Sequence, residues 1–357
     1  MNTKIYVILF RALSALFIGF MSFTYIAFMK SAGLNSFQVG LVLTLSLVVE
    51  ALSYVILIAF SIPRNIILSA LLMPISDILL LLRNIYGFIL IAIITGISSA
   101  IYSAVIIIQK DFTRKDYSIM LGSVATASIA GIGLYYLSAF ISKDLLVLSL
   151  IPLLIFNVII STKIKYEETE ESFKDLLQSL KSSGKTLFSV DFLIALRRTF
   201  LQGYIPLILL SIFVSYTPQQ ISLYLTLFQI PAIPFLFIGH KISNKVYLIL
   251  SVLELSSFLF IAVFYNLSPF IFLSAITLIH ILSSLRGPSA EQALVKMLNF
   301  STKLSALFNL LDIMSSSVAS LILAFMLEFS LYSEILLMVG VSNFLLDLAI
   351  FRMLQKY

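Results

Sequence analysis

Long apolar runs separated by short polar breaks dominate this chain, and the longest break lies near the middle, where residues 163–191 read KIKYEETEESFKDLLQSLKSSGKTLFSVD. Within the runs, apolar and polar positions do not alternate at period two, so the pattern predicts helices rather than barrel strands. A hydrocarbon core about 30 Å thick needs roughly 20 apolar residues per helix. Applied along the chain, that requirement predicts twelve spans, near 5–29, 37–60, 65–82, 86–108, 117–141, 145–162, 193–215, 220–239, 246–265, 269–285, 304–327 and 331–353. Helices satisfy their own backbone hydrogen bonds, as a segment in lipid must. The first run is too long for a signal-peptide core, contains Arg11 and precedes no small-residue cleavage pattern, which predicts a retained span.

The expected fold class is therefore all-α integral membrane, with two bundles of six helices, 1–162 and 193–357, joined by a linker over 163–192. Orientation follows from the cations. Of the 23 lysines and arginines only Lys30, Arg83 and Lys143 fall on one side of this layout, twenty against three. The positive-inside rule then places both termini and the central loop in the cytoplasm, in a multi-pass protein of the cell membrane. In the linker, Phe173, Leu176, Leu177 and Leu180 follow i, i+3, i+4, i+7 spacing, with Glu167, Glu168, Glu170 and Glu171 ahead of them. This predicts an amphipathic helix lying on the membrane surface, with acidic residues at its N-terminal end.

Composition narrows the function classes. With 60% hydrophobic and 11% charged residues, the chain lies far from the roughly 25% charged fraction of soluble domains. The net charge of +6 sits in short loops, as membrane insertion requires, and predicts no nucleic-acid partner. No cysteine is present and the two histidines are far apart, so no metal site or cofactor is expected. Without tryptophan, an interfacial aromatic belt falls to tyrosine. No GxxxxGK[ST] loop points to ATP, and no grouping of nucleophile and base points to an enzyme.

The halves echo one another. Gln38-Val-Gly-Leu-Val-Leu-Thr-Leu parallels Gln220-Ile-Ser-Leu-Tyr-Leu-Thr-Leu, and Asp111-Phe-Thr-Arg-Lys parallels Asn299-Phe-Ser-Thr-Lys, at offsets of 182 and 188 residues. Repeats of this kind mark secondary transporters, which hold substrate near the midplane between the halves. Six plus six helices, a charged cytoplasmic loop and these repeats resemble the major facilitator superfamily over essentially the whole chain. Its signature loop between helices two and three is reduced here to Phe60-Ser-Ile-Pro-Arg-Asn, which keeps Arg64; the matching loop of the second half supplies Gly239, Lys241 and Lys245. The stretch from Arg286 to Val295 is similar to the segment that closes helix ten in that family. The glycine-proline signature of antiporters on helix five is absent, since Ala130-Gly-Ile-Gly133 has glycines without proline.

An ionisable group inside a bilayer costs about 2.5 to 3.5 kcal/mol on insertion scales and is a functional candidate by default. Glu50 and Asp312 lie at matched depth on helices two and eleven, which the resemblance packs together across the two halves. They would either share a proton, because like charges at short range resist joint ionisation, or serve as interhelical glue. By the same resemblance helices one, four, seven and ten line the path. Arg11 there either snorkels to the headgroups or binds an anion, an ambiguity Arg197 and Arg198 share; His280 either titrates or packs. Tyr25, Tyr102, Gln202, Tyr204 and Thr277 would line the pore, and Asp77 and Glu254, on outer-flank helices, would be structural. The expected function is secondary active transport of a small organic solute by a monomer working through alternating access, with protons as the coupling ion. The alternative is a transporter-like sensor or assembly protein that carries nothing.

Overall fold

The computed structural model describes residues 3–60, 62, 65–102, 112–164, 190–297 and 302–356. Among them every regular element is helical. We number the segments α1 (Thr3–Ser31), α2 (Ser36–Ala59), α3 (Ile66–Leu79, extended by a 3-10 turn over Leu80–Leu82), α4 (Ile85–Tyr102), α5 (Arg114–Leu134, with a 3-10 turn over Tyr135–Ala139) and α6 (Lys143–Ser161). They continue as α7 (residues 190–212, interrupted by a π turn at Phe200–Tyr204), α8 (Pro218–Ile238), α9 (Asn244–Phe264), α10 (Pro269–Met297), α11 (Thr302–Glu328) and α12 (Tyr332–Lys356). Ten helices among the described residues are long and apolar enough to cross a membrane; α3 with its 3-10 turn is a shorter apolar helix, Ile66–Leu82. The expected linker helix, Arg64 and both copies of the Asp111/Asn299 motif lie wholly or partly outside the described residues.

Sequence and helix ends agree where a cap fixes them. Asn35 accepts from the Gln38 backbone while the Gln38 side chain returns to the Asn35 N–H, and Thr217 and Gln220 do the same at the start of α8. The glutamine shared by the two echoing segments is therefore the return arm of a capping box, and it explains why that residue recurs. Gly33, at φ +90°, stops α1: the Leu34 N–H reaches back to the Met29 carbonyl at 3.1 Å, a closure that needs a left-handed residue. The tenth helix runs to Met297, about three turns beyond its expected end at 285. Pro288 does not stop it, although it removes one backbone donor.

Neighbouring helices build the layout. In the first half α1 packs on α5 and α6, α2 on α4, and α3 on α4 and α6; in the second α9 packs on α10 and α12, and α8 on α10. Two broad contacts join the halves, α2 with α11 and α5 with α8. Buried phenylalanines, leucines and isoleucines of α1, α4, α6, α7 and α10 form the central core, including Phe20, Phe88, Leu150, Phe200 and Ile276. Large apolar side chains such as Leu52, Ile56, Val263 and Leu345 point outward half exposed or more, the surface that acyl chains would cover.

Candidate functional site

Alpha-7 organises the site because its backbone changes pitch there. Pro206 cannot donate to the Gln202 carbonyl, so the ladder resets and the Ile205 N–H bonds Phe200 one residue further back than an α-helix allows. The π turn sits between two polar side chains, Arg198 before it and Tyr204 at its end. Both reach α11. Arg198 donates from Nη1 to Asp312 Oδ2 at 2.6 Å and from Nη2 to Ser316 Oγ at 2.8 Å. One turn further along α11, the Tyr204 hydroxyl donates to the Ser320 carbonyl at 2.6 Å, and Thr44 of α2 donates to Ser320 Oγ at 2.9 Å. Residues 312, 316 and 320 are spaced at i, i+4 and i+8, one face of one helix.

Three carboxylates act on Arg198. Asp312 is its direct partner; Glu50 of α2 is half-buried and interacts electrostatically with both Arg198 and Asp312. Asp191, two turns before Arg198 on α7, is fully buried beside Ser315 and also feels Asp312 and Arg198. Glu50 and Asp312 thus act on each other electrostatically, with Arg198 paired to Asp312 and a third acid, Asp191, acting on both Asp312 and Arg198. Arg197, one position earlier, turns about 100° away. It bonds Glu254 Oε1 at 3.3 Å and the Ser283 hydroxyl, within its own half.

A cavity of about 310 Å³ opens beside the π turn, lined from α1, α2, α3 and α4 on one side and from α7 and α11 on the other. Tyr25, Tyr102 and Tyr204 line it, with Arg198, Thr199 and Gly203 of α7 and a set of serine and threonine hydroxyls. Of the sequence candidates, those three tyrosines sit in its wall. Thr277 does not line this cavity; it donates to the Phe228 carbonyl at 2.5 Å and so joins α10 to α8. His280 lies half-buried on α10 with Nε2 unpaired, near Arg197. Arg11 stays within the bundle, its Nη1 3.7 Å from Met120 Sδ and its Nε buried without a partner. The side chain of Gln202 lies outside the described set. Gly239 lets the end of α8 meet α10, since a Cβ there would stand 2.8 Å from the Leu285 carbonyl oxygen, while Lys241 and Lys245 are exposed.

Two outer-flank acids are not at a surface. Glu254 is fully buried and paired with Arg286, which also pairs with Asp347, donates to Ser251 Oγ at 2.7 Å and lies over the Tyr247 ring. Asp77 is fully buried on α3 with both oxygens unpaired, next to the cavity-lining Ser76.

No protein-family model matches the sequence, and no curated protein matches it. Similarity appears in three dimensions: the crystal structure of a mutant of the nucleoside transporter NupG matches at TM-score 0.67 and 12% identity, over 99% of this chain and 100% of that one. The chain shares the fold of that structure. In that fold the described cavity lies against both contributing halves of the sequence, and the residues that mark it come from α7 and α11 as much as from α1 and α4. The sequence left Arg198 open between snorkelling and binding an anion, and did not single out Asp191. Gly203 and Pro206, three residues apart beside Arg198, were the signal that this part of α7 departs from a regular helix.

Proposed function

We propose that this protein carries a small organic solute across a cell membrane by alternating access, with protons coupled through Glu50 and Asp312. One observation carries the reading: a hydroxyl- and tyrosine-lined cavity bordered by α1–α4 and by α7 and α11 ends on Arg198, which bonds Asp312 and Ser316 of α11 and interacts electrostatically with Glu50 of α2. In this reading all twelve segments span, α1–α6 and α7–α12 form two bundles, residues 163–192 strap them on the cytoplasmic side together with both termini, and the carrier is a monomer. The α2/α11 and α5/α8 contacts are the surfaces that move. Arg198 holds one carboxylate charge strongly, whereas Glu50, Asp191 and Asp312 crowd around it; protons on the surplus acids relieve that crowding. Proton load therefore changes how firmly α2, α7 and α11 are held together, which is the bias a two-state carrier needs.

The test starts from a ligand screen by thermal stabilisation of the purified protein, nucleosides included because a nucleoside transporter shares the fold. In proteoliposomes, uptake of the solute so identified should rise when a proton gradient is imposed. Glu50→Gln should keep binding and lose the dependence on the gradient. Equal gradient dependence in wild type and Glu50→Gln would remove Glu50 from the mechanism.

A further inference from the structure

The cavity wall carries one formal charge among the described residues, and it is positive. Arg198 lines the space, whereas Glu50, Asp191 and Asp312 do not. The remaining polar wall groups are neutral hydroxyls, such as Ser46, Thr95 and Ser99. Exposure makes the same distinction: the Arg198 side chain is 42% exposed and that of Asp312 is 14%. A guanidinium has five N–H donors in a planar fork; of these, one goes to Asp312 and one to Ser316, on a residue that lines the space. A cation entering this cavity meets a like charge; an anion meets a fork that matches carboxylate or phosphate.

We infer that the solute carries one anionic group of carboxylate type, held by Arg198, and that Asp312 is the internal anion occupying the arginine when the cavity is empty. This rests on the carrier reading above and names its substrate class. Exchange explains the crowd of acids. When the solute's anion takes the fork, Asp312 loses its partner while Glu50 and Asp191 remain close by, and three carboxylates with an added anion cannot share one guanidinium. A proton from water then settles on one of the acids, so that binding of one anion takes up one proton and net charge in the site is kept. Tyrosines 25, 102 and 204 leave room for a ring or a hydroxylated body, and the cavity volume suits a solute of that size.

The experiment uses the purified full chain in detergent, with thermal stabilisation by benzoate, lactate, inorganic phosphate, neutral uridine and tetramethylammonium. Stabilisation by at least one anion and by neither the neutral nor the cationic probe is expected, with proton uptake seen by a pH dye in weak buffer. Asp312→Asn removes the internal competitor and should tighten the anion several-fold. Arg198→Gln should weaken it by about tenfold or more, and Arg198→Lys, which keeps charge without the fork, should fall between. Because Asp312→Asn predicts a gain, the proposal stays testable even if Arg198→Gln fails to fold. Stabilisation by uridine or tetramethylammonium alone would overturn the anion assignment and leave the carrier standing. Anion binding unaltered in both Asp312→Asn and Arg198→Gln would do the same. Silence from all five probes in every variant would count against both.

Discussion

Arg286→Met is expected to be the most damaging single change in the second half of the protein, lowering stability by about 3 to 5 kcal/mol. The arginine is 2% exposed and its two partners, Glu254 and Asp347, are fully buried. Its removal leaves two carboxylates across α9, α10 and α12 with, among the described residues, Arg197 at 3.3 Å from Glu254 and the Tyr247 hydroxyl at 3.0 Å from Asp347 to answer them. An uncompensated buried charge costs more than the pair contributes, so neutralising all three should be milder than removing one. Thermal unfolding followed in detergent therefore has a clear ordering: Arg286→Met falls furthest, and the triple change Arg286→Met, Glu254→Gln, Asp347→Asn recovers much of the loss. A triple variant as unstable as the single one would mean that packing, and not charge, sets the effect.

Gly131→Val should break the other half. A Cβ at Gly131 would stand 2.0 Å from the Leu16 carbonyl oxygen and 2.7 Å from the Phe20 nitrogen, while a Cβ at Gly19 would stand 2.0 Å from the Ser128 carbonyl oxygen. Backbones of α1 and α5 touch here, and backbone cannot rotate away as a side chain can. In lipid, helix association depends on such close packing, since acyl chains are as apolar as leucine. Overpacking a core costs about 1 to 3 kcal/mol where side chains can give; with backbone on the far side, loss beyond that range is expected, seen as poor recovery of monodisperse protein and a lowered melting temperature. Gly203→Ala is the control. Nothing lies within 4 Å of a Cβ there, so the π turn should accept alanine with little change in melting temperature. A similar loss at both positions would show that the α1/α5 contact is not what Gly131 protects.

These two sites also show how the halves hold themselves differently. Alpha-1 and α5 meet through glycine backbones, with nothing between them. Alpha-7 and α11 meet through side chains, Arg198 to Asp312 and Ser316, Tyr204 to Ser320, and the cavity lies beside that second arrangement. A polar bridge can change partners where a glycine contact cannot. That difference favours α11, which meets α2 and α7, as the seat of the proposed coupling chemistry.

By itself the sequence determined the membrane class, the helical character of the segments and those helix ends that a cap fixes, because these follow from quantities local to each segment. Apolar run length measures bilayer thickness, and caps such as Asn35 with Gln38 announce themselves within four residues. It also picked out Glu50 and Asp312, since an acid in an apolar run is conspicuous wherever it points, and the resemblance brought their helices together. Only the tertiary structure decided that Asp312 pairs with Arg198, that Glu50 and Asp191 act on that pair, and that the partner of Glu254 is the buried Arg286. The reason is rotation: adjacent residues on a helix face directions about 100° apart, so Arg197 and Arg198 read alike in sequence and serve opposite sides of α7 once its neighbours are in place.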